Sequence, residues 1–340
     1  MDLANNGGAG VSAATGEKVK MQAIVYERYG PPEVLELRRI DRPPVGDDEV
    51  LIRVRASSVN PYDWHFMRGE PYLARLDMGL RPKTGRLGVD VAGTVEAVGN
   101  KVTEFQPGDE VFGTCDGALA EYAIGTESSL VSKPADVTFE QAGGVGIAAF
   151  TAIQGLRDSG KVQAGQRVLI NGAAGGVGTF AVQLAKAWGA EVTGVCSTRN
   201  VEMVRSIGAD HVIDYTRDDF TRGGQRYDLL LDLIGNHSLS RCRRVLSPAG
   251  TFVMIGGQSG RWIRPMGRVF KTLVTSPFVS QKLVLCRAVW SHEDLLVMQG
   301  LMKAGQVTTV IDRTYPLSQV PEAIRYLEDG HAQGKVVVTV

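Results

Sequence analysis

The stretch Val168-Leu169-Ile170-Asn171-Gly172-Ala173-Ala174-Gly175-Gly176-Val177-Gly178 carries chemistry that can be read straight from residue types. An apolar run enters a glycine cluster, and Val177, Phe180, Ala181, Leu184, Ala185 and Trp188 then recur at helical spacing. Strand, tight turn and helix in that order aim backbone N–H groups and the positive end of a helix dipole at one point. Glycines keep Cβ atoms out of the way there, so a pyrophosphate can dock. Gly175 and Gly178 supply close approach and close packing, with Ala174, Gly176 and Val177 completing the turn. Ala173 stands where G-x-G-x-x-G has its first glycine, so the match is A-x-G-x-x-G.

The surrounding pattern continues the unit. Glu191–Cys196 reads as a second strand, Asn200–Ile207 as a short helix and His211–Asp214 as a third strand, which makes the turn a dinucleotide site. After the second strand an NAD site needs an acidic residue for the ribose hydroxyl, roughly 20 positions past the glycines. This chain has Ser197-Thr198-Arg199 instead. Arg199 can pair with a 2′-phosphate and Ser197 can donate to it, so NADPH is the expected cofactor. Tyr215 is placed to close the adenosine pocket.

The elements that position this unit follow from the rest of the chain. Its 340 residues suffice for two cores, and zero net charge gives no electrostatic case for nucleic acid or an anionic membrane. A small molecule is the expected partner. Cys115, Cys196, Cys242 and Cys286 are too scattered for a disulfide framework or a zinc ribbon and fit free thiols in a reducing cytoplasm. Residues 1–20 read as a disordered tail without a secretory core, and no stretch approaches a membrane span.

From Met21 to about Ala142, short strands broken by Gly and Pro predict a small β barrel, with Val50, Ile52 and Val54 alternating against Arg53 and Arg55. Gly146–Leu156 is helical. Strands at Asp228–Leu233, Gly250–Ile255 and Lys282–Val289 complete a six-stranded doubly wound parallel sheet, an α/β class fold. Val336–Val340 is a terminal strand expected to return to the first domain. The division is therefore 21–145 with 290–340 for one domain and 146–289 for the nucleotide domain. Lys282–Val289 is also an apolar edge on which a homodimer is expected.

Several separated segments resemble the medium-chain dehydrogenase/reductases, in particular their zinc-independent quinone oxidoreductase-like branch. They are Gly88–Val95, Val98-Gly99, Pro107–Val111, Ala120–Tyr122, Ala173–Gly178 and Gly334–Val337. The resemblance implies a GroES-like catalytic domain split around a Rossmann domain. Zinc-dependent relatives have a Cys where this chain has Asn60, and Gly-His-Glu where it has Gly88-Val89-Asp90. A structural-zinc lobe of four close cysteines is also missing, so no metal is expected.

The implied reaction is hydride delivery from NADPH to a quinone or an α,β-unsaturated carbonyl, without an alkoxide to stabilise. The resemblance puts Asn60–His65 at the nicotinamide end, with Asn60 as an amide donor to the substrate oxygen, Tyr62 as a proton donor and His65 as a relay or packing residue. Asp63 is expected to hold the loop. Thr151 resembles the family's residue near the nicotinamide, Gly256 and Gly257 should pass beneath the cofactor, and Lys335 either reaches it or lies on the surface. Residues 261–278 mix cations with bulky apolar side chains, as a substrate lid or a peripheral membrane patch would. Two other functions fit the same sequence: a nucleotide-binding regulatory or membrane-associated protein with little turnover, and a reductase of aldehydes or ketones.

Overall fold

The computed structural model describes residues 19–70, 75, 79, 81–82, 85–255, 267, 272, 274–330 and 332–340. Most of the 1–20 tail, Gly256, Gly257 and most of the 261–278 segment lie outside them. The first strand, Lys20–Val25, pairs antiparallel with Glu36–Asp41, so it starts one residue before the expected boundary.

Two larger sheets carry the architecture. One has six strands, all parallel, in the spatial order His211–Asp214, Glu191–Cys196, Arg167–Asn171, Tyr227–Asp232, Leu246–Met254 and Lys282–Leu285. Numbered along the chain that order is 3-2-1-4-5-6, which reverses between Arg167–Asn171 and Tyr227–Asp232. A ligand cleft opens at the carboxyl ends of the strands at such a reversal. Strand interiors such as Val168, Leu169, Ile170, Leu230 and Leu231 are fully buried because helices cover both faces.

The last strand ends at Leu285, four residues short of the expected Val289. The Gln154 side chain takes over the Val289 backbone: Nε2 donates to its carbonyl at 2.8 Å and Oε1 accepts its N–H at 2.9 Å. Gln154 also opens a π-helical turn, Gln154–Ser159, which replaces the end of the expected 146–156 helix.

The other sheet has seven strands and contains Glu49–Val59, which pairs with Asp90–Val98, Tyr122–Thr126 and the terminal strand Lys335–Thr339. Val50, Ile52 and Val54 point into its core while Arg53 and Arg55 stay exposed, as alternation requires. The return of the terminal strand fixes Lys335 next to Asn60. It also crosses to the nucleotide unit, since Gly334 bridges Gly175.

Candidate active site

The glycine turn divides its tasks by position. Gly172 has a φ of +97°, a left-handed conformation open to glycine, and it makes the tight turn one residue before Ala173. A Cβ on Gly178 would lie 2.1 Å from the Gly172 carbonyl oxygen, so helix Gly176–Ala187 packs on the turn only with glycine there. Gly175, by contrast, has no neighbour closer than 3.6 Å to a Cβ position, which leaves room for an anion in front of the helix.

That helix end forms one wall of a cavity of about 680 Å³. Gly175–Gly178, Thr151 and Ile147 line it on the side of the parallel sheet, and Asn60, Tyr62, Trp64, His65 and Lys335 face them from the side of the seven-stranded sheet. Sequence reasoning thus selected residues that meet in one space. Ala174 is buried beside the turn and outside the lining. Thr151 donates its hydroxyl hydrogen to the Ile147 carbonyl at 2.7 Å, which leaves its oxygen lone pairs for a ligand N–H.

A buried charged cluster underlies this wall. Asp90, fully buried, accepts from Ser58 Oγ at 2.5 Å, Asn60 Nδ2 at 3.0 Å and the Ile147 N–H at 2.8 Å, and it pairs with Lys335 Nζ at 3.2 Å. Lys335 is 3% exposed, not a surface lysine, and it also donates to Asn60 Oδ1 at 2.5 Å. Only glycine fits at 146, where a Cβ would lie 2.0 Å from Asp90 Oδ1. Asp90 had no role in the sequence reading; an acid directly after Gly88-Val89 was the available signal.

The cluster revises the part expected of Asn60. Its Nδ2 donates to Asp90 and, at 3.4 Å, to the Ser58 carbonyl, so both amide hydrogens face inward. Lys335 carries three donor hydrogens and uses two of them here, so the spare donor at this point of the cavity is the ammonium. The same donor set answers the question of a metal. Asn60 and Val89 are not zinc ligands, and Asp90 is already neutralised by Lys335, so these residues do not fit a zinc ion.

Helix Pro61–Arg68 presents the remaining side chains. Asp63 caps it, accepting the Asn60 N–H at 2.8 Å and the Gly88 N–H at 2.9 Å; burial pushes its carboxyl up to about 7. This is the loop-holding role expected of it. Tyr62 is half-buried, and burial, then the charges of Asp116 and Asp63, raise its phenol above the ordinary value, so it keeps its proton at neutral pH. His65 stacks on Trp64 at 3.7 Å, and burial lowers its pKa. Its Nδ1 is buried with no hydrogen-bond partner among the described residues. The far end of the helix is tied to the cavity wall by a bidentate pair between Arg68 and Glu328, the second arm at 2.9 Å.

Ser197, Arg199 and Tyr215 lie off this cavity, at the ends of the second and third parallel strands. Arg199 and Tyr215 are exposed, and Ser197 Oγ accepts from Asn200 Nδ2 at 3.2 Å. A carboxylate does approach this corner from the third strand. Asp214 accepts from Thr198 Oγ1 at 2.5 Å and from Thr216, which hold its charge locally and depress its pKa.

Comparison with known proteins agrees with this geometry. Residues 46–135 match the family described as alcohol dehydrogenase GroES-like domain, and residues 207–338 match the one described as zinc-binding dehydrogenase. A mitochondrial NAD(P)H oxidoreductase of Mus musculus is 35% identical, over 97% of this chain and 92% of the relative. A chloroplastic NADPH-dependent alkenal/one oxidoreductase of Arabidopsis thaliana is 34% identical, over 94% and 79%. The structure of the quinone oxidoreductase from Coxiella burnetii, 29% identical, superposes with a TM-score of 0.82 over 95% of this chain and 100% of that one. The split β domain, the 3-2-1-4-5-6 sheet and the glycine turn accord with these matches: the chain belongs to the quinone oxidoreductase-like branch of the medium-chain dehydrogenase/reductase superfamily and is an oxidoreductase using a nicotinamide cofactor.

Proposed function

We propose that this protein is an NADPH-dependent reductase of quinones or α,β-unsaturated carbonyls that works without zinc. The observation that carries the reading is the cavity in which an anion-binding helix end faces Tyr62 across an apolar floor, with the metal position of zinc relatives filled by the Asn60, Asp90 and Lys335 cluster. NADPH, when bound, supplies a hydride from its dihydronicotinamide ring.

The chain's own residues do the rest. Gly175 to Gly178 hold the pyrophosphate, and Thr151 and the Lys335 ammonium fix the nicotinamide end. Arg199 and Ser197 take the 2′-phosphate, with Tyr215 over the adenosine. Tyr62 donates a hydrogen bond to the acceptor oxygen as negative charge builds on it. Its raised pKa suits a donor that keeps its proton until the acceptor becomes strongly basic. The test is loss of NADPH absorbance with a panel of quinones, enones and aldehydes. Turnover of quinones or enones is the expected result. NADPH binding without turnover of any acceptor would sink the enzyme reading, and preference for simple aldehydes would redirect it.

The same proposal assigns 146–289 to nucleotide binding and 21–145 with 290–340 to catalysis; all six parallel strands fall in the first span, which supports it. A homodimer joined along Lys282–Leu285 also belongs to it, since that strand is paired on one side only among the described residues; light scattering tests it. A cytoplasmic location rests on the four cysteines, none in a disulfide. Two relatives are named as mitochondrial and chloroplastic, so imaging of the tagged protein decides. No helix among the described residues is long and apolar enough to cross a membrane.

A further inference from the structure

Trp290 leaves half of its surface in water, at 52% exposed, although the residues on either side of it are anchored. Just before it, Val289 is clamped in both directions by Gln154, itself 6% exposed. Just after it, Ser291 caps helix His292–Lys303 by accepting from the Asp294 N–H at 3.2 Å. The two anchors are themselves joined, because Gln154 Nε2 donates to the buried Asp294 carboxylate at 2.7 Å and Arg157 pairs with that carboxylate at 2.8 Å. Gln154 continues the helix that carries Ile147, Ala148 and Thr151 into the cavity, so the tryptophan is fixed relative to the cavity floor.

The indole meets Tyr62 at 6.3 Å between centroids and 76° between planes, and Phe150 at 6.0 Å and 77°. Both contacts are edge-to-face, so neither neighbour stacks in parallel on it. Tyr62 lines the cavity, and Trp290, just outside that lining, sets a partly uncovered aromatic surface beside the phenol. The apolar part of the cavity lining is Ile147, Leu233, Ile234, Ile255 and Leu327. A fixed, wet indole beside a hydrogen-bond donor suits a flat ring that carries a carbonyl at its edge.

We infer that Trp290, positioned by Gln154, is a specificity-determining contact for fused-ring quinones, which stack on the indole while Tyr62 donates to a quinone oxygen; this rests on the reductase reading above. A small aliphatic enone reaches Tyr62 without touching the indole. Trp290→Ala should therefore raise KM for 2-methyl-1,4-naphthoquinone about tenfold more than KM for 3-buten-2-one, equivalent to ~1.4 kcal/mol of lost stacking. Gln154→Met, which removes the clamp and keeps the volume, should shift the same ratio in the same direction. Equal effects on both acceptors would overturn the inference.

A binding measurement separates this inference from the enzyme reading. With Trp64, which lines the cavity, replaced by Phe throughout and NADPH left out, the naphthoquinone should quench tryptophan fluorescence of the full chain, and Trp290→Phe should abolish most of the quench at unchanged protein concentration. Quenching that survives in Trp290→Phe overturns the role of the indole whether or not any acceptor turns over. Quenching that appears only on dilution to the monomer assigns the indole to contact between copies and overturns it equally.

Discussion

Asp90→Asn keeps the shape of a fully buried side chain and removes its charge, which isolates the electrostatic part of the cluster beneath the cavity. In the wild type the carboxylate compensates the Lys335 ammonium and accepts from Ser58, Asn60 and the Ile147 N–H. With asparagine, one oxygen becomes an NH₂ group facing a donor, and an ammonium 3% exposed loses the charge that compensates it. Breaking a buried ion pair from one side costs about 3–5 kcal/mol. The orphaned donors add to it less than additively. Lys335→Met should cost less, about 1–3 kcal/mol, because Asp90 keeps three donors. The double variant should be more stable than Asp90→Asn alone, since the stranded charge is gone. Urea unfolding followed by circular dichroism reads all three, with midpoints shifting at constant slope. A loss below about 1 kcal/mol for Asp90→Asn, or a double variant worse than that single one, would refute the argument that Lys335 depends on Asp90.

The Asp63 carboxyl, at about 7 against an ordinary 3.8, holds its proton more tightly in the folded chain. Its stabilising contribution is therefore full below about pH 4 and is lost as pH rises through about 7, up to ~4 kcal/mol at ~1.4 kcal/mol per unit. Asp63→Asn should remove that slope, and a stability difference from wild type that is the same at pH 5 and pH 8 would contradict it. Arg199→Glu should weaken NADPH binding at least tenfold more than NADH binding, measured by cofactor fluorescence titration; equal losses would remove the case for the 2′-phosphate. Tyr62→Phe should slow reduction about tenfold or more with unchanged NADPH affinity, and an unchanged rate would hand the proton to solvent. Gly178→Ala should abolish cofactor binding because its methyl lands 2.1 Å from the Gly172 oxygen, and retained affinity would show that the turn can yield.

What was legible in the sequence was what repeats with a local period or pairs with neighbours. The parallel strands read clearly because their interiors are apolar throughout, and Glu191–Cys196 and His211–Asp214 match to the residue. The last parallel strand was read too long because Cys286–Val289 is apolar enough to look extended. The Val289 N–H and carbonyl go to Gln154, 135 positions away, and no local pattern carries that information. The site divides in the same way. Gly175 and Gly178 belong to one local turn, so spacing revealed them, whereas the resemblance pointed to Asp63, which holds the N–H groups of Asn60 and Gly88. Asn60 was given the wrong direction because its partners, Asp90 and Lys335, come from distant segments. Near Arg199 the Asp214 carboxylate was overlooked for the same reason, since strand order alone brings it to the second strand.

The contact between Lys335 and Asn60 closes a loop of 275 residues, and the entire nucleotide domain lies inside that loop. A disordered chain of that length pays a large closure entropy, whereas a folded domain brings its own ends together and shortens the effective loop. The cavity should therefore be among the last parts to assemble, after the parallel sheet has formed. On dilution from urea, helix and strand signals should recover before NADPH binding does. During synthesis, a chain stalled before the terminal strand has a complete nucleotide fold but an uncompensated Asp90, so it carries no competent site.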